Sequence, residues 1–411
     1  MRMTGSPGAG KPVSEIDFKA GLIQAALMVR NVEAIVSPVF DGPQVEVFGV
    51  SLALGVKPEM VENAAGALAL AAGAKACRVA RADGRLLVEV PKPPGQRKTL
   101  SARRLVRIRP PSPWHVPVGL GMTGKIVWFN LADERMCHTV LGGTTRSGKT
   151  NLLHWILFRL LSQNPGRALQ LLLLDPKGSE LQPFASVRHL LHPPQHITEE
   201  IIKVLMWVDG TMKERAVEGV KEPRILVVID EVRNLIRADK KVVGLLSSIA
   251  EMGAGEGVHL VVTTQQPGAK ALGEALANFP CRFLGRVSSR TLEYGAAGRG
   301  RSQAADLLGR GDFLRITQDG ITRLQVPKMD GAMLAQLPQA RQVRRLELGT
   351  FVECEPEIDA RGGWQRKELD MDAVQEAVEE GMTTSQLGRE FGINFYRAQR
   401  LREQFGGDNG R

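Results

Sequence analysis

The amino-acid sequence predicts an α/β fold in which short parallel strands alternate with helices. Between residues 116 and 346, three short apolar runs are each closed by a polar residue, and they end at Asp175, Asp230 and Thr264. A glycine-rich loop lies between a further apolar run and a long apolar helix pattern. Because the carboxyl ends of parallel strands meet at one edge of a sheet, we expect a ligand site there. These observations predict an α/β nucleotide-binding core.

The glycine-rich loop reads GTTRSGKT and fits the pattern GxxxxGK[ST] at every fixed position. It follows the apolar run 138–141 and precedes an apolar helix pattern that continues to Ser162. Glycines allow successive backbone N–H groups to turn toward phosphate oxygens, and the following helix adds its positive N-terminal end. An ordinary strand-to-helix turn is the alternative, but the flanking elements favour a phosphate loop. The residues predicted to bind nucleotide are Gly143, Thr144, Thr145, Arg146, Ser147, Gly148, Lys149 and Thr150.

An acidic pair complements this loop, because Asp230 and Glu231 directly follow the apolar run ILVVI. We expect Lys149 to reach the β- and γ-phosphates of ATP, and Thr150 and Asp230 to hold Mg²⁺, the latter through its water shell. Glu231 would orient and activate the attacking water. The alternative is an acidic pair that merely begins a helix. The presence of Glu231 favours hydrolysis over a passive nucleotide switch, and the predicted cofactors are ATP and Mg²⁺.

Two other strand ends carry polar residues. Thr263, Thr264 and Gln265 close the third apolar run, where they either sense the γ-phosphate or cap the strand. Asp175 closes the first run, and the sequence Asp-Pro-Lys that it begins can equally be a turn. Both interpretations stay open at this point.

The charge balance points toward a polyanionic partner. The chain has 411 residues and a formal net charge of +10. Its distribution is more informative, because the stretch from Val90 to Lys125 contains no acidic residue. This stretch is either a phosphate-contacting surface or a solvated linker. Its basic residues before the last proline cluster are Lys92, Arg97, Lys98, Arg103, Arg104, Arg107 and Arg109.

Several other classes of protein are excluded by composition. The four cysteines are far apart and form no CxxC pair, so neither a zinc site nor a disulfide framework is indicated. His189, His192 and His196 lack supporting ligands and are interpreted as loop residues. No apolar run approaches the ~20 residues that a membrane span needs. No signal peptide is evident, so we expect a cytoplasmic protein without a membrane span of its own.

The chain divides into five segments by composition and pattern. These are a flexible Gly/Pro-rich tail (1–14), a small α/β domain (15–110), the nucleotide-binding core (111–348), a polar linker (349–368) and a helical domain (369–411). In the small domain we expect a strand over 45–55, a helix from Pro58 to about Leu70, and a hairpin turn at Asp83-Gly84.

The C-terminal segment predicts three short helices. The first spans 371–380 and is stopped by Gly381, and the second opens with a capping-box pattern at Thr383. The third runs from Asn394 to about Phe405. Two short helices joined by a glycine-containing turn predict a helix-turn-helix, with a plain helical bundle as the alternative.

The order of these motifs resembles the motor core of FtsK/SpoIIIE-type DNA translocases. The resemblance is carried by GGTTRSGKT, LLDPKGSEL, ILVVIDE, VHLVVTTQQP, NFPCRFLGRVSS and LLGRGDFL, in that order. Residues 42–81 resemble the small domain that precedes this motor, and INFYRAQRL resembles the start of the recognition helix in the family's C-terminal DNA-binding domain. Together the resemblance covers about residues 42 to 405.

The resemblance implies a RecA-like P-loop ATPase core with a small N-terminal α/β domain and a C-terminal helix-turn-helix domain. It implies a homo-hexameric ring that threads duplex DNA and moves along it by ATP hydrolysis. The family's multi-span membrane anchor has no counterpart in this sequence, so a soluble motor is expected.

The resemblance also implies roles for single residues. Gln265 matches the glutamine of the sensor strand, Arg282 the arginine of NFPCR, and Arg310 the arginine of LGRGD. In a ring, an arginine of a neighbouring subunit can stabilise transition-state charge. The candidates for this arginine are Arg282, Arg286, Arg290 and Arg310. The candidates for DNA contact are Tyr396, Arg397, Gln399 and Arg400.

Three functional hypotheses follow from the sequence. The first is an ATP-dependent double-stranded DNA translocase. The second is a DNA transfer-coupling or genome-packaging ATPase that feeds DNA to another machine. The third is a non-motor, ATP-switched DNA-binding regulator or initiator. Glu231 and the ordered motif set argue against the third hypothesis.

Overall fold

The computed structural model describes residues 14–82, 84–268, 272–289, 303–343, 345–346, 369–391, 393, 398, 401–402 and 405. The strands in these ranges are β1 (Ala34–Asp41), β2 (Val45–Leu52), β3 (Arg78–Ala82), β4 (Arg85–Pro91), β5 (His115–Gly121), β6 (Ile126–Asn130), β7 (His138–Gly142), β8 (Leu169–Leu174), β9 (Arg224–Ile229), β10 (Val258–Thr264), β11 (Cys281–Leu284), β12 (Asp312–Thr317) and β13 (Gly320–Gln325).

The helices in the same ranges are α1 (Glu15–Met28), α2 (Pro58–Asn63), α3 (Ala65–Ala71), α4 (Ala102–Val106), α5 (Lys149–Gln163), α6 (Thr198–Glu218), α7 (Val232–Ala238), α8 (Lys241–Met252), α9 (Gly331–Leu334), α10 (Met371–Glu379) and α11 (Thr384–Glu390). Short 3₁₀ turns cover Pro94–Gln96, Gln182–Phe184, Gly273–Asn278 and Ala304–Asp306. No helix of the described chain combines the length and the apolar character needed to cross a membrane.

The chain forms two compact units. Of the described residues, the first unit comprises those up to Ser101 together with 119–127 and 322–328, and the second comprises the others. The first unit contains a four-stranded sheet in the order β1-β2-β4-β3, with antiparallel neighbours. Helix α1 buries Ala20, Ile23 and Leu27, whose spacing of three and four residues places them on one face.

The predicted helix from Pro58 to Leu70 is two helices in the structure. Ala64 ends α2 with a short turn in which its N–H donates to the carbonyl of Val61 at 3.1 Å, and α3 then begins at Ala65. Such an i→i−3 bond tightens the last turn of a helix. The predicted hairpin is present, because β3 and β4 are paired through Ala82 and Arg85.

A buried ion network lies within the first unit. Glu89 on β4 is almost completely buried and accepts hydrogen bonds from Arg78 at 2.9 Å and from Arg323 at 2.6 Å. Because two guanidinium groups contact one carboxylate, the burial of this charge is compensated by pairing.

The second sheet has nine strands in the order β6-β5-β13-β12-β11-β7-β10-β9-β8. Five neighbouring strands run parallel, namely β8, β9, β10, β7 and β11. The apolar runs of the sequence predict four of these strands, β7 to β10. The pairs β11–β12 and β13–β5 are antiparallel, so the sheet is mixed. Helices α6 and α8 cover the strands β8 to β10 with a common apolar core. The predicted α/β fold is therefore confirmed.

The three histidines lie in loops, as the sequence predicts. His189 and His196 hydrogen-bond to the backbone carbonyls of Asn164 and Asp175, and His192 accepts from the backbone of Leu346. Cys77, Cys137 and Cys281 are free thiols, and the described residues hold no cluster of three or more His, Cys, Asp or Glu suited to a metal ion.

Two helices of the C-terminal segment are described. Helix α10 is followed by Gly381, which has a left-handed φ of +85°. The predicted capping box is present at the start of α11, since the Thr383 N–H donates to the Gln386 amide oxygen at 2.8 Å and the Gln386 N–H donates to the Thr383 hydroxyl at 3.3 Å. Most of the predicted third helix, the tail 1–13 and the whole predicted linker (349–368) lie outside the described residues.

Candidate nucleotide-binding site

The glycine-rich loop leaves the central strand β7 and ends at the N-terminus of α5, as predicted. Two of its glycines adopt positive φ angles, Gly143 at +144° and Gly148 at +106°. A Cβ atom on Gly148 would lie 3.0 Å from the backbone nitrogen of Gly311, and one on Gly143 would lie 2.9 Å from Ser147 Oγ. Both the conformation and the close approach therefore require glycine.

The loop is fastened to the segments that flank it on the sheet edge. Three backbone hydrogen bonds join them, from Thr144 N to Arg286 O (2.8 Å), from Gly311 N to Ser147 O (2.8 Å) and from Arg310 N to Arg146 O (3.3 Å). Because these bonds fix the peptide groups of the loop, its shape is set before any ligand arrives.

The loop fits a polyphosphate. The Ser147 hydroxyl is buried and has no hydrogen-bond partner among the described residues, which is costly for a polar group unless a ligand supplies one. Lys149 begins α5, so its ammonium group and the helix N-terminus carry positive charge at the same place. Thr150 and Asp230 offer the hydroxyl and carboxylate oxygens that Mg²⁺ prefers as ligands or as partners of its bound water.

The acidic pair follows β9 at the same edge of the sheet. The two parallel pairings of β10, with β7 and with β9, bring the phosphate loop and the acidic pair to the same end of these strands. The Nζ atom of Lys149 lies 3.9 Å from Oε2 of Glu231, and both side chains are largely buried. The structure therefore brings Lys149 and Glu231 together as the sequence predicts.

The residues after β10 hold the acidic pair in place. The Thr263 hydroxyl lies 2.6 Å from Asp230 Oδ1 and 3.0 Å from the backbone nitrogen of Glu231. The Thr264 hydroxyl and the backbone N–H of Gln265 donate to Glu231 Oε1 at 3.3 and 3.2 Å. Gln265 thus meets Glu231 through its backbone, whereas its side chain is exposed.

Burial and neighbouring charges act in opposite directions on the titration of this site. Burial lowers the pKa of Lys149, and the nearby carboxylates of Glu231 and Asp230 oppose this change. Burial raises the pKa of Asp230, while the hydrogen bond from Thr263 and the charge of Lys149 lower it. The site therefore balances desolvation against pairing of opposite charges.

Asp175 is a structural residue of the same edge. It is fully buried, and its carboxylate accepts hydrogen bonds from the backbone N–H groups of Lys177, Glu180 and Leu181 at 3.0, 2.9 and 3.2 Å. The turn after β8 is thus built around this side chain. The negative charge of Asp175 also raises the pKa of Asp230.

The arginine candidates occupy different environments. Arg282 on β11 is half-buried, donates to the carbonyl of Leu276 at 3.0 Å, and has its pKa lowered by burial. Arg310 is exposed beside the phosphate loop, with a left-handed φ of +51°. Arg286 is also exposed. The fourth candidate, Arg290, and the predicted DNA contacts Tyr396, Arg397, Gln399 and Arg400 lie outside the described residues.

A phosphate loop and an acidic pair at the carboxyl edge of an α/β sheet define a P-loop ATPase-like fold. Solved structures support this class. The pCW3 conjugation coupling protein TcpA, in its monomer form with ATPγS, matches with a TM-score of 0.52 and 18% identity over 76% of this chain and 96% of that protein. The cytoplasmic domain of the type VII secretion ATPase EccC of Thermomonospora curvata matches with a TM-score of 0.52 and 19% identity over 66% of this chain and 39% of that chain. These likenesses concern the fold.

Sequence comparisons show which proteins the chain resembles. Residues 106–220 match the FtsK/SpoIIIE family model, and residues 8–93 match the FtsK alpha domain model. The chain is 27% identical to the DNA translocase FtsK of Staphylococcus epidermidis, over 94% of this chain and 53% of that protein. It is 28% identical to the DNA translocase SftA of Bacillus subtilis, over 94% of this chain and 43% of that protein. These two regions of the chain are thus similar to the FtsK/SpoIIIE family and to its alpha domain, and the chain spans about half the length of these curated relatives.

Proposed function

We propose that this chain is an ATP-dependent double-stranded DNA translocase that works as a ring-shaped, homo-hexameric motor. The observation that carries the ATPase part is the position of Glu231. Its carboxylate lies 3.9 Å from the amine of Lys149, at the sheet edge where the phosphate loop begins α5. A carboxylate held beside the phosphate-binding lysine suits the activation of an attacking water.

Each residue of the site has a defined task in this proposal. The backbone N–H groups of the loop and the Lys149 ammonium bind the phosphates of ATP and stabilise charge that develops on the γ-phosphate. Thr150 and Asp230 would hold Mg²⁺, directly or through water. When bound, this cation neutralises phosphate charge. Glu231 accepts the proton of the water that attacks the γ-phosphate.

The resting position of Glu231 also supports a link to the end of β10. Its Oε1 atom accepts hydrogen bonds from the Thr264 hydroxyl and the Gln265 N–H, so the carboxylate is tied to that strand. We infer that Gln265 reports the state of the γ-phosphate through this contact. A displacement of the end of β10 would then move the carboxylate of Glu231, the proposed water-activating group.

The arginines have separate tasks in this proposal. Arg310 is fastened by its backbone to the phosphate loop of its own chain, which supports a role on the nucleotide of the same subunit. Arg282 and Arg286 are candidates to act on the nucleotide of a neighbouring subunit in the ring.

DNA contact is proposed for two parts of the chain. In the acid-free stretch, α4 buries Ala102 and Leu105 while Arg103, Arg104, Arg107 and Arg109 remain exposed, so the backbone is fixed and the arginines are presented to solvent. The buried Arg159 helps to fix it by donating to the carbonyl of Val106 at 3.2 Å. Such one-signed surfaces contact phosphates. The second part is the proposed C-terminal helix-turn-helix domain, 369–411.

The decisive experiment measures ATPase rate on linear duplexes of increasing length and unrelated sequence, together with displacement of a triplex-forming strand. A motor is stimulated by duplex of any sequence, responds to its length and removes the third strand. Lys149→Ala should abolish both activities. An ATPase rate that ignores duplex, with no strand displacement, would refute the translocase. Stimulation by one site without displacement would instead favour the ATP-switched regulator.

A further inference from the structure

The Thr263 hydroxyl bridges the two acidic residues of the proposed site. Thr263 is the next-to-last residue of β10 and is 1% exposed. Its parallel neighbour β9 pairs Ile229 with Val262, so Thr263 lies level with Asp230 in the continuing register. This register places the hydroxyl between the side chain of Asp230 and the backbone of Glu231.

The chemistry of the three groups fixes the direction of both hydrogen bonds. A backbone N–H can only donate, so the Glu231 N–H donates to Thr263 Oγ1 at 3.0 Å. The single hydroxyl proton of Thr263 is then donated to Asp230 Oδ1 at 2.6 Å. One hydroxyl therefore serves both residues at once, and a methyl group in its place would serve neither.

These two bonds constrain different features of the site. The bond to Asp230 restrains the rotation of its carboxylate. The bond from Glu231 holds a non-glycine residue at φ +46° and ψ +55°, a left-handed conformation that is unfavourable for a side chain with a Cβ atom. That conformation sets the direction in which the Glu231 carboxylate leaves the backbone.

We propose that Thr263 is a positioning residue that sets the carboxylates of Asp230 and Glu231 relative to each other, and thereby the site's response to Mg²⁺. The inference rests on the proposed ATPase function. The Thr263 hydroxyl would act through Asp230 and Glu231 without contacting Mg²⁺ or nucleotide itself. Side chains that orient metal ligands in other proteins act in the same way.

The test compares Thr263→Val with Thr263→Ser, which keeps the hydroxyl. Thr139→Val is the matched control, because Thr139 is equally buried in β7 and its hydroxyl donates to the carbonyl of Met136 at 2.9 Å, away from the acidic pair. Binding of a fluorescent ATP analogue is measured against Mg²⁺ concentration, and kcat and KM of ATP hydrolysis are measured separately. Thermal melting of each variant checks that it is folded.

We expect Thr263→Val to raise the Mg²⁺ concentration needed for half-maximal binding, and to lower kcat, each by about 10- to 100-fold. Binding of the analogue without Mg²⁺ should be unchanged, and Thr263→Ser should restore most of the loss. Thr139→Val should follow the wild type. If Thr263→Val does not fold, Thr263→Ala removes the same hydroxyl and carries the same expectations.

Two results would overturn the inference. One is a folded Thr263→Val protein with wild-type Mg²⁺ dependence and kcat. The other is a loss that Thr263→Ser fails to restore or that Thr139→Val reproduces, since either would indicate a purely structural role. A wild-type protein without any ATPase activity would instead refute the proposed function, so the two failures are distinguishable.

Discussion

At the scale of single residues, the site depends on charges that are buried together. Lys149 and Glu231 are each about one-tenth exposed, and burial alone lowers the pKa of Lys149. Opposite charges nearby favour the charged form of each group. Burial also raises the pKa of Asp230, and the pairing of Lys149 with Asp230 opposes both shifts.

Glu231→Gln tests the role of the buried Glu231 carboxylate. We expect the variant to bind ATP and to lose hydrolysis by at least ~100-fold, because an amide cannot accept the proton of the attacking water. Nucleotide binding is measured by fluorescence of an ATP analogue and hydrolysis by phosphate release. The exposed Glu199 provides a control, since Glu199→Gln at the start of α6 should leave both properties intact. Unchanged turnover in Glu231→Gln would assign water activation to another group.

Much of this site was predictable from sequence, because the convergence of parallel strand ends is a rule of topology. The GxxxxGK[ST] spacing found the loop, and the position of Asp230 and Glu231 after an apolar run found the acidic pair. The bridging role of Thr263 was not predictable. It depends on the register between β9 and β10 and on the rotation of one hydroxyl. The spacing of residue types in the sequence reveals neither feature.

At the scale of helices and strands, the departures from prediction have local causes. The antiparallel strands β12 and β13 extend the sheet, although the prediction included parallel strands alone. The sequence pattern of these two strands is short, since each strand has six residues and only the dipeptide Gln318-Asp319 separates them. The break at Ala64 leaves no signal, because alanine is the best helix former and the interruption comes from the backbone bond to Val61.

The buried carboxylate of Glu89 on β4 contributes to the stability of the first unit. We expect Glu89→Gln to lower the free energy of unfolding by about 3–5 kcal/mol, because the buried guanidinium of Arg323 and the half-buried one of Arg78 lose the full charge of their shared carboxylate. Urea unfolding followed by circular dichroism measures this change. Glu59 is exposed and pairs with the exposed Arg81, so Glu59→Gln should have a much smaller effect. Equal effects of the two substitutions would contradict the importance of the buried network.

At the scale of the whole molecule, the positive charge is concentrated. The chain has a formal net charge of +10. The acid-free stretch contributes to this charge, and its arginines at positions 103, 104, 107 and 109 are exposed in the structure. Arg103 also pairs with Asp330 at 3.1 Å, which leaves the other three as stronger candidates for phosphate contact. Contacts of this kind release counterions from DNA, so their number can be read from the salt dependence of binding.

The double variant Arg104→Glu/Arg107→Glu should weaken DNA binding for every sequence alike. If each arginine contacts one phosphate, the slope of log affinity against log salt should fall by roughly 2, since each contact contributes about 0.9. Fluorescence anisotropy with an arbitrary duplex at several salt concentrations measures this slope. Arg30→Glu changes an exposed arginine outside the stretch and should leave the slope unchanged. A slope equal to that of wild type in the double variant would make the stretch a solvated linker.

The three backbone hydrogen bonds that fasten the glycine-rich loop have a thermodynamic consequence. Ordering a free backbone costs about 1–2 kcal/mol for each residue, and here that expense is met once, when the polypeptide folds. In the proposed function, each nucleotide therefore binds a loop that is already ordered, and little of its binding free energy is used to order the loop. The proposed ATPase would release spent nucleotide and bind the next one without reordering this loop in every cycle.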